Sequence, residues 1–212
     1  QQIAGRVHGD WFYPAISGVA RSQNYYPVGR IRLDDGMAKI GIGFGKIINR
    51  GEGGLRFCPK YPHQIPDFSK IEDILANAQT HFYALRLTDD AEPVDPDADL
   101  QPREVVDALD EDPFRSMVSS YLPEDGRLRD TAVGPGQKVV TFAAVLKHKT
   151  FPLAEIVTDL LEIGRKGMGC HVEIEFAVDF KSEKNAPPVF NLLQMRPMSV
   201  GGDPFDVEVS QD

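Results

Sequence analysis

Four polar side chains in the last third of the chain have the types and spacing of a metal–phosphate site. Glu173 and Glu175 alternate with apolar residues in VEIEFAVD, and Gln194 and Arg196 lie two residues apart before Pro197. Because successive side chains of a strand point to opposite faces, each pair is expected on one face of its strand. Carboxylate and amide oxygens suit Mg²⁺, and a guanidinium suits phosphate oxygens. The pattern therefore indicates a site for a magnesium-bound polyphosphate.

Two strands paired as a hairpin must position these side chains. Apolar alternation predicts a strand over 172–179, and a second apolar run ends at 194–197 after a polar, proline-containing loop. If the strands pair in that register, two carboxylates, one amide and one guanidinium converge on a small patch. The alternative is a half-exposed hairpin whose polar face meets only water.

The segments EIEFAVD and LLQMRPM resemble the closing hairpin of the nucleotide-binding domain in the phosphoenolpyruvate synthase and pyruvate phosphate dikinase family, which has an ATP-grasp fold. Two further stretches are similar to that family, Ser17-Gly18-Val19-Ala20 after a first strand and the glycine-rich GIGFGK at 41–46. The resemblance covers most of the chain except an acidic middle. One departure is Gln23, because family members commonly have arginine there.

The resemblance implies roles for the hairpin residues, with ATP and Mg²⁺ as cofactors. Glu175 and Gln194 are similar to magnesium and phosphate ligands, and Arg196 to a catalytic phosphate clamp. Glu173 resembles a group near the nucleotide, where relatives often use aspartate. Phosphoryl transfer asks a protein mainly for such positioning and charge neutralisation.

Three cofactor-binding candidates lie elsewhere. Gln1 and Ile3 match the segment that links two lobes in the family, so the resemblance places them at the adenine edge. Lys46 follows three glycines whose backbone leaves room for a ligand, and it is a candidate charge contact in the cleft. The GxxxxGK[ST] spacing of a Walker loop is absent.

The implied fold class is α+β and ATP-grasp-like, a mainly antiparallel sheet with flanking helices. Residues 1–198 would form the carboxy-terminal part of that domain, without its amino-terminal lobe. Within them 88–120 is predicted to be an acidic insertion, and 199–212 a linker or tail. Further patterns predict strands over 16–21, 37–42 and 139–146, short helices within 104–120, and a helix from Pro152 that ends at Gly164 or Gly167.

The net charge of −9 is concentrated in one segment. Asp89 to Asp112 contains eleven acidic residues and one basic residue, so the rest of the chain is nearly neutral and can accommodate an anionic nucleotide. The sequence contains no basic stripe with interleaved aromatic residues, so it does not indicate a nucleic-acid partner. No apolar run approaches the roughly 20 residues that cross a bilayer. Two cysteines without CxxC spacing favour the cytoplasm.

The resemblance also implies a function for a longer parent protein, a phosphotransferase of the pyruvate, water dikinase type. In relatives, ATP phosphorylates a histidine on a swivelling domain, and a separate pyruvate-binding barrel then makes phosphoenolpyruvate. Both are expected as partners in the parent chain, so the fragment alone is expected to be inactive. Two alternatives stay open: a degenerate ATP-grasp scaffold or regulatory nucleotide-binding module, and an ATP-grasp carboxylate ligase.

Overall fold

The computed structural model describes residues 4–50, 53–65, 70–87, 100–110, 114–180 and 187–198. Within these ranges the fold is mixed α+β, with mostly antiparallel sheets and few helices, as the sequence predicts at this level. No helix among the described residues is long and apolar enough to cross a membrane.

The elements are numbered along the chain. The strands are β1 (Arg6–His8), β2 (Trp11–Tyr13), β3 (Ile16–Arg21), β4 (Met37–Gly41), β5 (Leu55–Phe57), β6 (His81–Arg86), β7 (Leu100–Glu104), β8 (Val118–Leu122), β9 (Arg127–Arg129), β10 (Gln137–Val140), β11 (Val172–Asp179) and β12 (Val189–Pro197). The α-helices are α1 (Lys46–Arg50), α2 (Ile71–Asn77), α3 (Phe114–Met117), α4 (Ala143–Leu146) and α5 (Leu153–Met168), and short 3₁₀ helices cover Leu33–Asp35 and Val105–Ala108.

A five-stranded antiparallel sheet, in the order β12-β11-β3-β4-β5, positions the predicted hairpin. Four apolar side chains of β11, at 172, 174, 176 and 178, are at most 1% exposed. They share a core with the buried face of α5, which includes Leu153, Val157 and Leu161. Because side chains alternate along a strand, the odd-numbered polar residues of β11 point to the opposite face of the sheet.

The β11–β12 pairing contains a β-bulge. Glu175 lies opposite Gln194, but Phe176 lies opposite Leu192, so Leu193 has no opposite residue in β11. An extra residue of this kind shifts the alternation of the strand that contains it. The polar face consequently includes residues at 194 and 196 on one side of the bulge and Asn191, opposite Ala177, on the other.

Two smaller antiparallel sheets complete the described structure, in the orders β1-β2-β6-β7 and β10-β8-β9. Buried side chains of both sheets, among them Tyr13, Phe82, Val118 and Val140, belong to the same core cluster as the five-stranded sheet. Phe82 is central to this group, with its ring centroid 5.0 Å from that of Tyr13 and 5.8 Å from that of Phe114. The three sheets are therefore joined by one hydrophobic core.

The segment 88–120, predicted to be an acidic insertion, is described at 100–110 and 114–120. There it contributes β7, which pairs with β6, and the fully buried side chains of Phe114 and Met117. The predicted short helices are found at Val105–Ala108 and Phe114–Met117, whereas 118–120 belong to β8. From this segment the hydrophobic core includes Val105, Ala108, Phe114, Met117 and Val118. Residues 88–99 and 111–113 lie outside the described ranges.

The strand predicted over 139–146 is wrong beyond Val140. Phe142 has a left-handed backbone conformation, with φ of 52°, and Ala143–Leu146 forms α4. The N–H groups of Thr141 and Phe142 both donate to the carbonyl of Met117, which turns the chain. A continuous apolar run does not distinguish a buried strand from a buried helix, which explains the error.

Helix α5 extends past Gly164 and Gly167, the two positions predicted for its carboxy-terminal end. Gly164 lies inside it, where a Cβ would come within 2.8 Å of the Met195 sulfur and 3.0 Å of Val172 Cγ2. The helix ends instead before Gly169, whose φ of 68° is the left-handed conformation that commonly follows a helix. Gly164 therefore lets the helix approach the hairpin closely.

Candidate metal–phosphate site

The polar face of the five-stranded sheet brings the four predicted hairpin residues together. Glu173 lies opposite Arg196, and Glu175 lies opposite Gln194. On the other side of β11, Glu173 lies opposite Arg21 of β3. Directly opposite residues of antiparallel strands have neighbouring side chains on one face. We call these five residues the polar patch.

Glu173 is the buried centre of the polar patch, with its side chain 7% exposed. Its Oε2 accepts a hydrogen bond from Arg21 Nε at 2.5 Å, and its Oε1 accepts hydrogen bonds from Nη2 and, at 2.9 Å, from Nε of Arg196. Burial alone would raise the pKa of Glu173, but the hydrogen bonds from the two arginines outweigh it and lower that pKa. Glu173 is therefore held as a carboxylate between two guanidinium groups.

Glu175 and Gln194 differ from Glu173 in their surroundings. Gln194 is exposed, Glu175 is half-buried, and neither side chain makes a hydrogen bond to another described residue. Their oxygens are therefore available to a ligand. Among the described residues no three His, Cys, Asp or Glu side chains form a metal-binding group. Glu175 and Gln194 would supply a carboxylate and an amide oxygen, donor types that Mg²⁺ accepts, if a metal ion were held here.

Lys46 begins α1, which packs on β4 and β6. Its ammonium nitrogen lies 5.0 Å from the centroid of the Tyr83 ring. The glycines before it allow close packing: a Cβ at Gly43 would lie 2.7 Å from the Tyr83 carbonyl oxygen and 2.8 Å from Phe82 Cδ2. The space beside Gly43 is therefore filled by Tyr83 and Phe82, whereas the sequence predicts an open backbone at this position. Lys46 stays a prediction, and Gln1 and Ile3 lie outside the described residues.

Arg21 is the site residue that sequence reasoning missed. It is the last residue of β3, and its side chain is 39% exposed. The alternation of the strand over 16–21 places it on a face with Val19, but nothing local indicates that β3 pairs with β11. Its partner Glu173 lies 152 positions away along the chain. Arg21 could have been identified only by predicting that β3 lies next to β11 in the sheet.

The other end of the polar face contains buried polar groups with fewer partners. Asn191 Nδ2 donates to Asp179 Oδ2 at 3.2 Å, while Asp179 Oδ1 and the hydroxyl of Ser17 are buried with no hydrogen-bond partner among the described residues. Burial raises the pKa of Asp179, and the Ala15 backbone N–H and the charge of Arg6 offset this only in part. The face therefore has a charge-paired end and an underpaired end.

A scan against protein-family models gives no match for this chain, and a search of curated proteins gives none either. The fold and the site by themselves define an α+β domain with a polar patch on its central antiparallel sheet. The patch combines two arginines, two glutamates and one glutamine.

Proposed function

We propose that the polar patch binds the phosphates of a magnesium nucleotide, ATP in the first instance. The observation on which this depends is that Glu175 and Gln194 lie opposite each other next to Arg196, and that their side chains make no hydrogen bond to another described residue. The side chain of Arg196 is 54% exposed, so its guanidinium can contact an anion while it remains bonded to Glu173. The same arrangement supports an ATP-grasp identity for the fold.

The donor set fits Mg²⁺. Magnesium in nucleotide sites is commonly held by one or two protein carboxylates together with substrate phosphates and water. Glu175 would supply the carboxylate and Gln194 the amide oxygen. A bound magnesium ion would neutralise charge on the phosphates. In this proposal Glu173 orients Arg196, because both of its oxygens already accept hydrogen bonds from arginines.

We further propose that the chain is part of a phosphotransferase similar to phosphoenolpyruvate synthase. The phosphoryl acceptor would be a histidine on a partner domain, on the route from pyruvate to phosphoenolpyruvate. This step depends on the resemblance of EIEFAVD and LLQMRPM to that family, and the geometry of the polar patch supports only the nucleotide-binding part.

Calorimetric titration of ATP into the 212-residue chain, with Mg²⁺ and with EDTA, tests the nucleotide site. We expect binding that requires Mg²⁺ and that weakens at least about ten-fold in Glu175→Gln, because a charge-assisted contact is lost. The exposed Glu124 gives a matched control, since Glu124→Gln makes the same charge change in the turn between β8 and β9, in a different sheet from β11, and should leave affinity unchanged. Equal affinity in Glu175→Gln and the wild type, with both folded by circular dichroism, would overturn the proposal.

A further inference from the structure

Arg21 approaches the polar patch from the strand on the opposite side of β11 from Arg196. The two arginines contact different oxygens of the same carboxylate, Oε2 for Arg21 and Oε1 for Arg196. Their guanidinium groups are therefore neighbours on one face of the sheet. Each comes from a strand of the sheet, which is a more rigid support than a loop.

Most of the hydrogen-bond donors of this arginine pair do not point at Glu173. A guanidinium has five N–H donors in a planar fork. Arg21 uses its Nε and Arg196 uses Nε and Nη2 on Glu173, and neither guanidinium makes another hydrogen bond or ion pair among the described residues. With side chains 39% and 54% exposed, both can reach a ligand.

The charges of the arginine pair favour an anion. The arginine pair has two positive charges, and Glu173 neutralises only one of them. The other carboxylate of the polar patch is Glu175, opposite Gln194. Guanidinium forks match phosphate oxygens, and two neighbouring forks match successive phosphoryl groups of one chain. A di- or triphosphate therefore fits the pair better than a single carboxylate ligand does.

We propose that Arg21 is a second phosphate-binding residue of the site, and that Glu173 is a positioning residue that holds Arg21 and Arg196 side by side for one polyphosphate chain. This inference rests on the proposed nucleotide function. It adds that the site recognises the polyphosphate itself, through a contact from β3 that is independent of the metal and of the base.

Tripolyphosphate, which has no base, is the probe. In EDTA we expect it to bind the Glu175→Gln chain more tightly than the wild type, because the arginine pair then faces one carboxylate fewer. In that background Arg21→Gln should weaken binding at least about ten-fold, and Arg21→Lys should weaken it less because it keeps the charge but loses the fork. Arg115→Gln, which removes an ion-paired arginine on α3, is the matched control and should change nothing.

The outcomes separate this inference from the proposed function. Unchanged tripolyphosphate affinity in folded Arg21→Gln or Arg21→Lys, or no binding to any folded chain, would overturn the role of Arg21. Loss of magnesium-dependent ATP binding in Glu175→Gln, with no effect of Arg21→Gln on either ligand, would uphold the nucleotide site and reject the arginine pair. Tripolyphosphate binding that depends on Arg21, without any magnesium-dependent ATP binding, would uphold the arginine pair and reject the nucleotide site.

The role of Glu173 has its own test. If both arginines grip one polyphosphate, the double variant Arg21→Gln/Arg196→Gln should lose less affinity than the product of the two single losses. In a Glu173→Gln background this coupling should disappear, although Gln at 173 leaves the net charge more favourable to an anion. Coupling that survives in folded Glu173→Gln would show that Glu173 does not position the pair.

Discussion

The two ends of the polar face of β11 each contain a buried carboxylate, and the pKa values of the two carboxylates are shifted in opposite directions. Glu173 has a lowered pKa because arginines from both neighbouring strands donate to it, although burial acts against this. Asp179, six residues further along, has a raised pKa because burial dominates. Burial is common to both, so the partners decide whether a buried acid stabilises the fold or costs stability.

The neighbouring strands explain the difference. Opposite Glu173 lie Arg21 and Arg196, whereas Val189 lies opposite Asp179 in β12 and Asn191 supplies its side-chain hydrogen bond. An amide donor and a backbone N–H do not replace two cations when a carboxylate leaves water. The charge-paired end is therefore built as a fixed site, and the underpaired end is a place where stability is lost.

The largest effect is expected from breaking the charge-paired end with Glu173→Gln. The substitution leaves two arginines without their carboxylate, and because both are partly exposed, water recovers part of the loss. We expect the free energy of unfolding at pH 7 to fall by about 2 kcal/mol. Urea denaturation measures it.

The stability difference between the wild type and Glu173→Gln should also depend on pH, in a direction that the pKa of Glu173 determines. The pKa of Glu173 is lower in the folded chain, so its stabilisation is fully present above the unfolded value of about 4.3 and is lost as the pH falls through the folded value. The difference between wild type and variant should shrink on acidification. Glu155→Gln, which breaks the exposed pair with Lys149, should change stability by less than about 1 kcal/mol. Equal losses in both variants would contradict the comparison.

Asp179→Asn should have a smaller effect of opposite sign. It removes a buried charge, and Asp179 Oδ1 has no hydrogen-bond partner in the described part of the chain, so we expect a gain of about 1 kcal/mol at pH 7. Because the pKa of Asp179 is raised on folding, the cost of the wild-type residue grows as the pH rises through the interval between its unfolded and folded values. The gain should therefore vanish below about pH 3.9, the ordinary aspartate value. Thermal unfolding across this pH range, with the exposed Asp159→Asn as control, checks it, and a loss of stability at pH 7 would refute it.

The smallest effect is expected at Ser17, next to the underpaired end. Its hydroxyl is buried without a hydrogen-bond partner among the described residues, so Ser17→Ala should raise the free energy of unfolding by roughly 0.5 kcal/mol. Ser120 is a matched buried serine, since its hydroxyl donates to the Thr131 carbonyl at 2.8 Å and accepts from Lys138 at 2.9 Å. Ser120→Ala should lower stability. A loss at Ser17 as large as at Ser120 would mean that the two hydroxyls are equally well bonded.

The sequence was informative where the pattern is local. Alternation along 172–179 predicted β11 and its two faces, and the spacing of the polar residues predicted that all four converge if the two strands pair as a hairpin, which they do. The position of Arg21 depends on strand order, which joins residues far apart in the chain. The end of α5 was misplaced because Gly164 is a close packing contact with Met195 inside the helix, whereas Gly169 ends it, and a helical pattern does not distinguish these two uses of glycine.

The β-bulge at Leu193 changes which positions of β12 face the core: even-numbered residues do so before it and odd-numbered residues after it. In a strand without an extra residue, side chains at 191 and 194 would fall on opposite faces, yet Asn191 and Gln194 share one face here. Deleting Leu193 would leave a single residue between Asn191 and Gln194, and ordinary alternation would then keep both side chains on the polar face. The bulge therefore allows β12 to contain one residue more than its pairing with β11 requires without exchanging the two faces of the strand.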